Sequence, residues 1–498
     1  MPPSLTADRS AGKFDLMYIA VVLLSVAGVL LVGAWLGRMY ANRLARNAAL
    51  RFRSRIDRYK LARRRFVRER LIADPGIADA VRDHAREFGV TEADAWRKVH
   101  GYITEIVPFF NIVAYYQVGY RVAKVLLRMF YNVTVEHENG AAPRRPPRDA
   151  VLIYLMNHRS NADYILVSYA LAGQVAISYA VGEWARAFPL EHMFKAFGSY
   201  FVRRKYREPL YHMVLERYVQ QITRMGVTQG IFLEGGLTRD GRIKSPKIGL
   251  LDYVLGIGRD PAYHEKLYII PVAVNYDRVL EDRSLIRELA VREGGRPIGR
   301  RRQLSEVSRY VGWNIARLFT RRWKRYGRAA VVVGDPVPLD SWFAANPDLF
   351  TLPRPERLAR VQTFCDGVMD RIGRLVPVTP VPLVCAAVQS LDREYIPRDL
   401  LLGRMAEMRD TLVELNSRVV RTDRTIEETL EVGMRMLRMR RVLLEQGDGF
   451  VVSPRNRELV SYYANSIAHL LGPFEQSVTA RDALPIDAMG ARFAAGVG

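Results

Sequence analysis

Five short apolar runs along the middle of this 498-residue chain constrain its fold more than any other feature. Each run has the length of a strand buried on both faces, and stretches with helical spacing separate the runs. This alternation is typical of α/β proteins, so residues 150–350 are predicted to form a mixed sheet covered by helices. The runs are residues 151–156, 175–181, 230–233, 267–274 and 329–333.

Helical regions flank the predicted sheet. Residues 76–149 are predicted to be a helical region at a membrane interface or against the catalytic core, because residues 76–131 carry apolar side chains at three- and four-residue spacing. A loop over residues 136–149 leads into the sheet. Residues 351–475 are predicted to form a mostly helical C-terminal domain with a small hairpin near Gly449. We interpret this domain as a packing domain, with a winged-helix reader of nucleic acid as the alternative. A tail, residues 476–498, ends the chain.

The N-terminal part of the chain predicts attachment to a membrane. After a tail of residues 1–15, residues 16–37 carry no charge, and about 20 apolar residues suffice to cross a bilayer as a helix. We therefore expect a transmembrane anchor here, with a cleaved signal peptide as the alternative. The arginine-rich residues 38–75 then form a basic collar, which by the positive-inside rule predicts a single-pass protein of the inner membrane with a cytoplasmic catalytic domain.

The charge balance points to anionic partners. A net charge of +23 and an isoelectric point near 10.1 suit nucleic acid, anionic membrane lipids or phosphorylated substrates. The two cysteines, Cys365 and Cys385, exclude a disulfide framework, and we expect no metal site because His and Cys are not clustered at ligand spacing.

The leading candidate for chemistry is a histidine that follows the first predicted strand. His158 stands two residues after that strand, and Asp163 follows five residues later, beyond a turn. A neutral imidazole accepts a proton from a hydroxyl near pH 7, and a carboxylate on its other nitrogen fixes the tautomer. Since no nucleophilic serine accompanies the pair, it suits attack by the hydroxyl of the substrate itself. Alone the pair is weak evidence, because a helix-capping aspartate near a loop histidine is common.

Three later segments accompany this pair. Arg203 and Arg204 follow an apolar run, and Pro271 interrupts the strand predicted over residues 267–274. The third predicted strand is followed by Glu234-Gly235-Gly236-Leu237-Thr238-Arg239-Asp240-Gly241-Arg242 and then by Pro246-Lys247-Ile248-Gly249. In order and spacing, the four segments resemble the four blocks of the glycerolipid acyltransferase superfamily. Their details resemble its bacterial glycerol-3-phosphate acyltransferase branch, over roughly residues 70 to 475.

The resemblance implies a fold, a reaction and a set of site residues. It implies transfer of an acyl group from acyl-CoA or acyl carrier protein to the primary hydroxyl of glycerol-3-phosphate, which yields lysophosphatidate for phospholipid synthesis. No cofactor is expected beyond the thioester co-substrate. His158 would be the general base and Asp163 its orienting partner. The turn Glu234-Gly235-Gly236 would supply backbone N–H groups to the oxyanion. The basic residues that match phosphate-binding positions are Arg203, Arg204, Arg239 and Lys247, and Pro271 would line the acyl pocket.

Two departures leave the acceptor open. Leu237 and Thr238 stand where the family usually has arginine and serine, so one positive charge beside the predicted phosphate site is missing. The chain also begins with the predicted anchor where the family has a long N-terminal region. Dihydroxyacetone phosphate or a lysophospholipid is the alternative acceptor. A membrane-tethered nucleic-acid-binding protein is the alternative from another class, and the lack of an aromatic-basic RNA-binding box disfavours it.

Overall fold

The first helices of this computed structural model form where local sequence signals predict them. Asp74 caps the second helix by accepting the N–H of Ile77 at 3.2 Å, and Gly89 ends it in the left-handed conformation. The structure describes residues 64–109, 119–140, 144–147, 149–171, 176–182, 190–203, 206–260, 263, 266–292 and 325–479. The helices before the sheet are α1 (Arg64–Ile72), α2 (Pro75–Phe88), α3 (Glu92–Ile106) and α4 (Tyr120–Phe130).

A mixed sheet forms the centre of the described residues. Its strands are β1 (Asn132–His137), β2 (Val151–Met156), β3 (Ser178–Gly182), β4 (Tyr200–Val202), β5 (Gln229–Phe232), β6 (Leu267–Tyr276), β7 (Arg328–Val333) and β8 (Val337–Pro338). The strand order is β1-β7-β6-β2-β5-β3-β4, and β8 pairs with β6. All pairs are parallel except those of β6 with β7 and with β8. The carboxyl ends of β2, β3, β4, β5 and β6 therefore share one edge of the sheet.

The predicted mixed α/β architecture is confirmed. All six side chains of β2 are buried, as expected of a central parallel strand. Strand β1, whose side chains are half-buried or exposed, pairs with β7 and so brings the chain into the sheet before residue 150. The helices between the strands are α5 (Asp163–Leu171), α6 (Leu190–Ala196), α7 (Pro209–Arg224), α8 (Gly249–Leu255) and α9 (Asp282–Arg292).

The C-terminal part of the described chain is mostly helical. Its helices are α10 (Asp340–Ala345), α11 (Arg354–Arg374), α12 (Pro380–Leu391), α13 (Arg398–Glu414), α14 (Ile426–Met439), α15 (Arg457–Asn465) and α16 (Glu475–Thr479). Ten consecutive residues of α12 are buried, because α13, α14 and α15 pack around this apolar helix. The hairpin predicted near Gly449 is formed by β10 (Leu443–Gln446) and β11 (Gly449–Val452), and β9 (Tyr395–Pro397) adds a third antiparallel strand.

The predicted membrane location is corrected by the helices that the structure describes. Crossing a bilayer takes about 20 consecutive residues that are mostly apolar. None of the described helices combines that length with that apolarity; α11 has 21 residues but is interrupted by charges throughout, and the apolar α12 has only 12. This finding contradicts the prediction of a single-pass protein of the inner membrane. The segment predicted to be its anchor, residues 16–37, lies outside the described residues.

Candidate active site

The loop from β2 to α5 brings the predicted dyad together. His158 Nδ1 lies 2.9 Å from Asp163 Oδ2, and both side chains are buried. Asp163 is the first residue of α5, so a single tight turn sets the distance between the two side chains. The His158 ring stacks on Phe232 at the end of β5, with 4.0 Å between the ring centroids. The imidazole is therefore oriented by a carboxylate at one nitrogen and by an aromatic ring on one face.

Asp163 is held by more groups than its histidine. Its Oδ2 also accepts the backbone N–H groups of Arg159 at 2.7 Å and Ser160 at 3.0 Å. The hydroxyl of Tyr276, the last residue of β6, donates to Oδ1 at 2.5 Å. Burial and the Asp163 carboxylate raise the pKa of Tyr276 well above its usual value, so the hydroxyl stays protonated and keeps donating. Asp163 thus organises the turn and contacts the imidazole at the same time.

Two further side chains fix the turn to the sheet and to the residue just before α9. The amide of Asn157 pairs with the backbone of Val274, accepting its N–H at 2.8 Å and donating to its carbonyl at 3.0 Å. Glu281 accepts the hydroxyl of Ser160 at 2.7 Å and the N–H of Asn161 at 3.2 Å. Burial raises the pKa of Glu281. Both ends of the His158 turn are therefore held by hydrogen bonds to other elements.

Arg159 joins the turn to the C-terminal domain. Its guanidinium is almost fully buried and donates to the carbonyls of Gly241 and Ser466, the latter at 3.0 Å. Gly241 has a φ of +86°, and a Cβ at this position would lie 1.9 Å from the carbonyl oxygen of Tyr462. Glycine is required here because the loop after β5 lies directly against α15.

Glu234 lies directly behind the dyad. Its Oε1 accepts the backbone N–H of His158 at 3.0 Å, while its buried Oε2 has no hydrogen-bond partner among the described residues. Burial raises the pKa of Glu234 to about 7, although Arg159 and the His158 N–H act in the opposite direction. The loop therefore holds a buried acid whose pKa lies near neutral pH.

The glycines after Glu234 turn the chain beside this acid. Gly235 has a φ of +65°, and its N–H donates to the carbonyl of Phe232 at 3.2 Å. The N–H of Gly236 makes no hydrogen bond within the described residues, which makes it the better candidate for an oxyanion donor. The exposed Lys247 lies next to this turn: a Cβ on Gly235 would be 3.0 Å from Lys247 Cγ.

Arg203 lies farther along the same edge and already has an anionic partner. It follows β4, which is three strands from β2, or about 14 Å at the usual strand spacing. Its guanidinium forms a bidentate ion pair with Glu105 of α3, with Nε 2.7 Å from Oε1. It also lies over the ring of Tyr206, 4.9 Å from the centroid. Arg204 lies outside the described residues.

The remaining predicted residues face other elements. Arg239 Nε donates to Glu288 of α9 at 2.9 Å, with the carboxylate about half exposed. Pro271 is buried in the middle of β6, five residues before Tyr276. A Cβ on Gly334 would lie 2.6 Å from the Pro271 ring, so this proline packs on the chain after β7. Its role in the acyl pocket stays a prediction.

Sequence reasoning missed four residues that hold the dyad. Asn157 and Arg159 adjoin His158, and polar residues flanking a candidate base were a signal for both. Tyr276 and Glu281 come from beyond the fourth block, and only the pairing of β2 with β6 brings them to the turn. The assembled site can accept a proton at His158 while excluding most water, which suits acyl transfer to a bound hydroxyl.

Two family models match segments of the chain. Residues 134–275, which contain the dyad and the Glu234 loop, match the family described as Acyltransferase. The part of the chain that resembles this family therefore contains most of the mixed sheet and the His–Asp pair at its carboxyl edge. Residues 313–473 match the family described as Glycerol-3-phosphate acyltransferase C-terminal region.

Curated relatives indicate which acyltransferases the chain resembles. The chain is 27% identical over 412 residues to the glycerol-3-phosphate acyltransferase of Xanthomonas campestris pv. campestris, covering 80% of this chain and 45% of the relative. It is 26% identical over 416 residues to that of Pasteurella multocida, covering 80% of this chain and 49% of the relative. The predicted resemblance to bacterial glycerol-3-phosphate acyltransferases is confirmed. The chain spans about half the length of these relatives.

A solved structure also matches part of the chain. The 1-acyl-sn-glycerophosphate acyltransferase from Thermotoga maritima is 19% identical and has a TM-score of 0.31, covering 52% of this chain and 79% of that one. A TM-score this low does not establish a shared fold.

Proposed function

We propose that this protein transfers a fatty acyl group from a thioester, acyl-CoA or acyl carrier protein, to the primary hydroxyl of glycerol-3-phosphate, yielding lysophosphatidate. The observation that carries the proposal is the 2.9 Å contact between His158 Nδ1 and Asp163 Oδ2 at the carboxyl end of a central strand. Ligands of open α/β sheets bind at this edge. The curated relatives named glycerol-3-phosphate acyltransferase support the choice of acceptor.

His158 carries the proton transfers. With Asp163 accepting from Nδ1–H, Nε2 is the nitrogen that takes the proton from the acceptor hydroxyl. The hydroxyl oxygen attacks the thioester carbonyl as this proton leaves, and a tetrahedral intermediate forms. When the intermediate collapses, the carbon–sulfur bond breaks and the proton on His158 passes to the departing sulfur. No covalent acyl-enzyme is needed.

The loop after β5 serves the acceptor and the oxyanion. The N–H of Gly236 is the candidate donor to the oxyanion, and the loss of one such donor typically costs about 2.7–4 kcal/mol of transition-state stabilisation. Glu234, whose carboxyl group is buried in this loop, is the candidate to bond an acceptor hydroxyl. Lys247, Arg203 and Arg239 are the described basic candidates for its phosphate, since charge-assisted hydrogen bonds are the stronger kind.

An acceptor panel tests the proposal. Purified full-length protein is given a radiolabelled acyl thioester with glycerol-3-phosphate, dihydroxyacetone phosphate or a lysophospholipid. We expect glycerol-3-phosphate to give the highest kcat/KM. The Leu237→Arg variant, which restores the charge usual in the family, should lower the KM for glycerol-3-phosphate.

Two outcomes would count against this acceptor. One is a higher kcat/KM with a lysophospholipid than with glycerol-3-phosphate. The other is loss of activity in Leu237→Arg, which would mean that the phosphate does not lie beside residue 237. In both cases dependence on His158 would still support acyl transfer, to another hydroxyl.

A further inference from the structure

A cavity lies at the same sheet edge as the dyad but beside strands β1 and β7. Its volume is about 470 Å³, within the range of small-molecule sites. It is bounded by the residues that begin β1 and β7 and by one face of α14. Four of its lining residues are arginines: Arg325, Arg328, Arg424 and Arg435.

A glycine turn positions the two arginines on the sheet side. Gly327 has a φ of +86°, and a Cβ there would lie 2.5 Å from the Cβ of Asp277, so the turn packs tightly on the end of β6. Arg325 Nη1 donates to Asn132 Oδ1 at 2.7 Å, which holds Arg325 at the start of β1. The N–H of Arg328 donates to Asp277 Oδ2 at 2.7 Å.

Helix α14 supplies the opposite wall. Val432, Arg435, Met436 and Met439 recur at helical spacing and so lie on one face, over about 10 Å of helix. Arg424 stands just before the capping box that starts the helix. This wall therefore combines cationic groups with an apolar surface, and methionine adapts readily to ligands of different shape.

Within the part of the chain that the structure describes, three of the four arginines of the cavity differ from their neighbours in forming no ion pair. Among the described residues, the side chains of Arg328, Arg424 and Arg435 make no ion pair, and no carboxylate lines the cavity. In contrast, Arg421 pairs with Asp423 at 2.7 Å, and Arg438, on the same helix, contacts Glu431 and Glu445, each at 2.8 Å.

The like charges disfavour one another. Burial and the nearby Arg424 and Arg421 lower the pKa of Arg328, while Asp277 and Asp423 act in the opposite direction. A bound dianion would remove this repulsion. Guanidinium groups bind phosphate oxygens in pairs, which matches a cavity with several convergent arginines.

We propose that this cavity binds a phosphate monoester with an apolar chain, its phosphate on the four arginines and its chain along Val432, Met436 and Met439. The site is separate from the His158 dyad, and the proposal does not depend on the reaction proposed above. A free anion would use only the arginines, so the apolar wall distinguishes a lipid-like ligand from inorganic phosphate.

Calorimetric titration of the full chain tests the proposal with n-octyl phosphate, inorganic phosphate and n-octyl glucoside, each below its micelle concentration where it has one. We expect octyl phosphate to bind at least tenfold more tightly than inorganic phosphate, and octyl glucoside not to bind measurably. The Arg424→Gln/Arg435→Gln variant should weaken octyl phosphate binding by at least tenfold, because each charged hydrogen bond is worth a substantial fraction of the affinity.

The control variant is Arg421→Gln/Arg438→Gln, which removes the same net charge from paired arginines outside the cavity. It should bind octyl phosphate within twofold of the wild type. Met439→Gln should weaken the binding of octyl phosphate but not that of inorganic phosphate.

Three results would overturn the proposal. Equal weakening by the two double variants would show that binding follows net charge alone. Equal affinity for octyl phosphate and inorganic phosphate would show that the apolar wall does not contribute to binding. Unchanged binding of octyl phosphate in the Arg424→Gln/Arg435→Gln variant would place the ligand outside this cavity. Circular dichroism should confirm folding, which we expect because Arg435 is exposed and Arg424 is half-buried.

Discussion

The turn that holds His158 and the side chains predicted to bind phosphate are organised in opposite ways. In the turn, Asp163 and Glu281 accept hydrogen bonds from fixed backbone and hydroxyl donors, all of them buried or nearly so. The described phosphate candidates Arg203 and Arg239 instead pair with single carboxylates, Glu105 and Glu288, on helices outside the sheet.

This difference matches two requirements: the catalytic turn must be rigid, and the phosphate-binding side chains must be able to exchange one anion for another. Proton transfer requires a fixed distance, and several buried hydrogen bonds to one carboxylate hold that distance. A phosphate, however, has to replace the anion that the arginine already holds. Ion pairs that solvent reaches are worth only about 0–1 kcal/mol. The Glu288 carboxylate that pairs with Arg239 is about half exposed, so an incoming phosphate can displace it.

Removing the base should have the largest effect. We expect His158→Ala to lower kcat by about 10²–10⁴, because general-base catalysis contributes that much. Asp163→Asn should cause a similar loss through a misoriented imidazole. The assay is thioester release at saturating substrates. His100→Ala, which changes an exposed histidine on α3, should keep wild-type kcat. A near-normal kcat in His158→Ala would end the assignment of the dyad.

The stability of the protein should depend on pH through Glu234, the buried acid behind the dyad. Burial raises the pKa of Glu234 to about 7 from an ordinary value of 4.5. Its contribution to stability is therefore complete below about pH 4 and is lost as the pH rises through 7. Relative to Glu234→Gln, the wild type should lose about 3 kcal/mol of unfolding free energy between pH 4 and 8.

Denaturant titrations of both proteins at several pH values measure this difference. Glu87→Gln, an exposed glutamate on α2, serves as the control and should parallel the wild type. Parallel curves for wild type and Glu234→Gln would show that Glu234 does not titrate in this range.

Changes at the arginines predicted to bind phosphate should alter the KM for the acceptor. Arg203→Gln should raise the KM for the phosphorylated acceptor about ten- to hundredfold, because charged hydrogen bonds are worth roughly 1.5–3 kcal/mol. Glu105→Gln should leave that KM unchanged or lower it, since the competing carboxylate is gone. Steady-state kinetics with acceptor and donor varied separately distinguish the two substrates.

The neighbouring exposed Arg207 provides a control for charge: Arg207→Gln should change neither KM. Equal increases in KM for Arg203→Gln and Glu105→Gln would mean that the ion pair is a structural unit and that the phosphate binds elsewhere.

Loss of the Tyr276 hydroxyl should have the smallest effect. Tyr276→Phe removes one of several donors to Asp163, so we expect kcat to fall about tenfold with both KM values unchanged. Tyr131→Phe is the matched control: this buried hydroxyl donates to the carbonyl of Arg278 at 2.8 Å and does not contact Asp163. If both variants lower kcat equally, Tyr276 acts only through stability.

Much of the sheet could be predicted because its central strands are buried on both faces. The run 151–156 coincides with β2, and the run 267–274 lies within β6. Strands β1 and β8 were missed, since β1 is partly exposed and β8 has only two residues. Neither leaves the continuous apolar signal on which the strand prediction depends.

The sequence by itself determined the α/β class, the resemblance to the acyltransferases and the pairing of His158 with Asp163, because each depends on local spacing or on an ordered series of motifs. Only the tertiary structure decided which groups surround that pair and which carboxylates form ion pairs with the predicted phosphate-binding arginines. Tyr276 and Glu281 reach the turn because β6 pairs with β2, and Glu105 meets Arg203 across 98 positions of the chain. Contacts between residues so far apart depend on strand order and helix packing, and no local pattern encodes them.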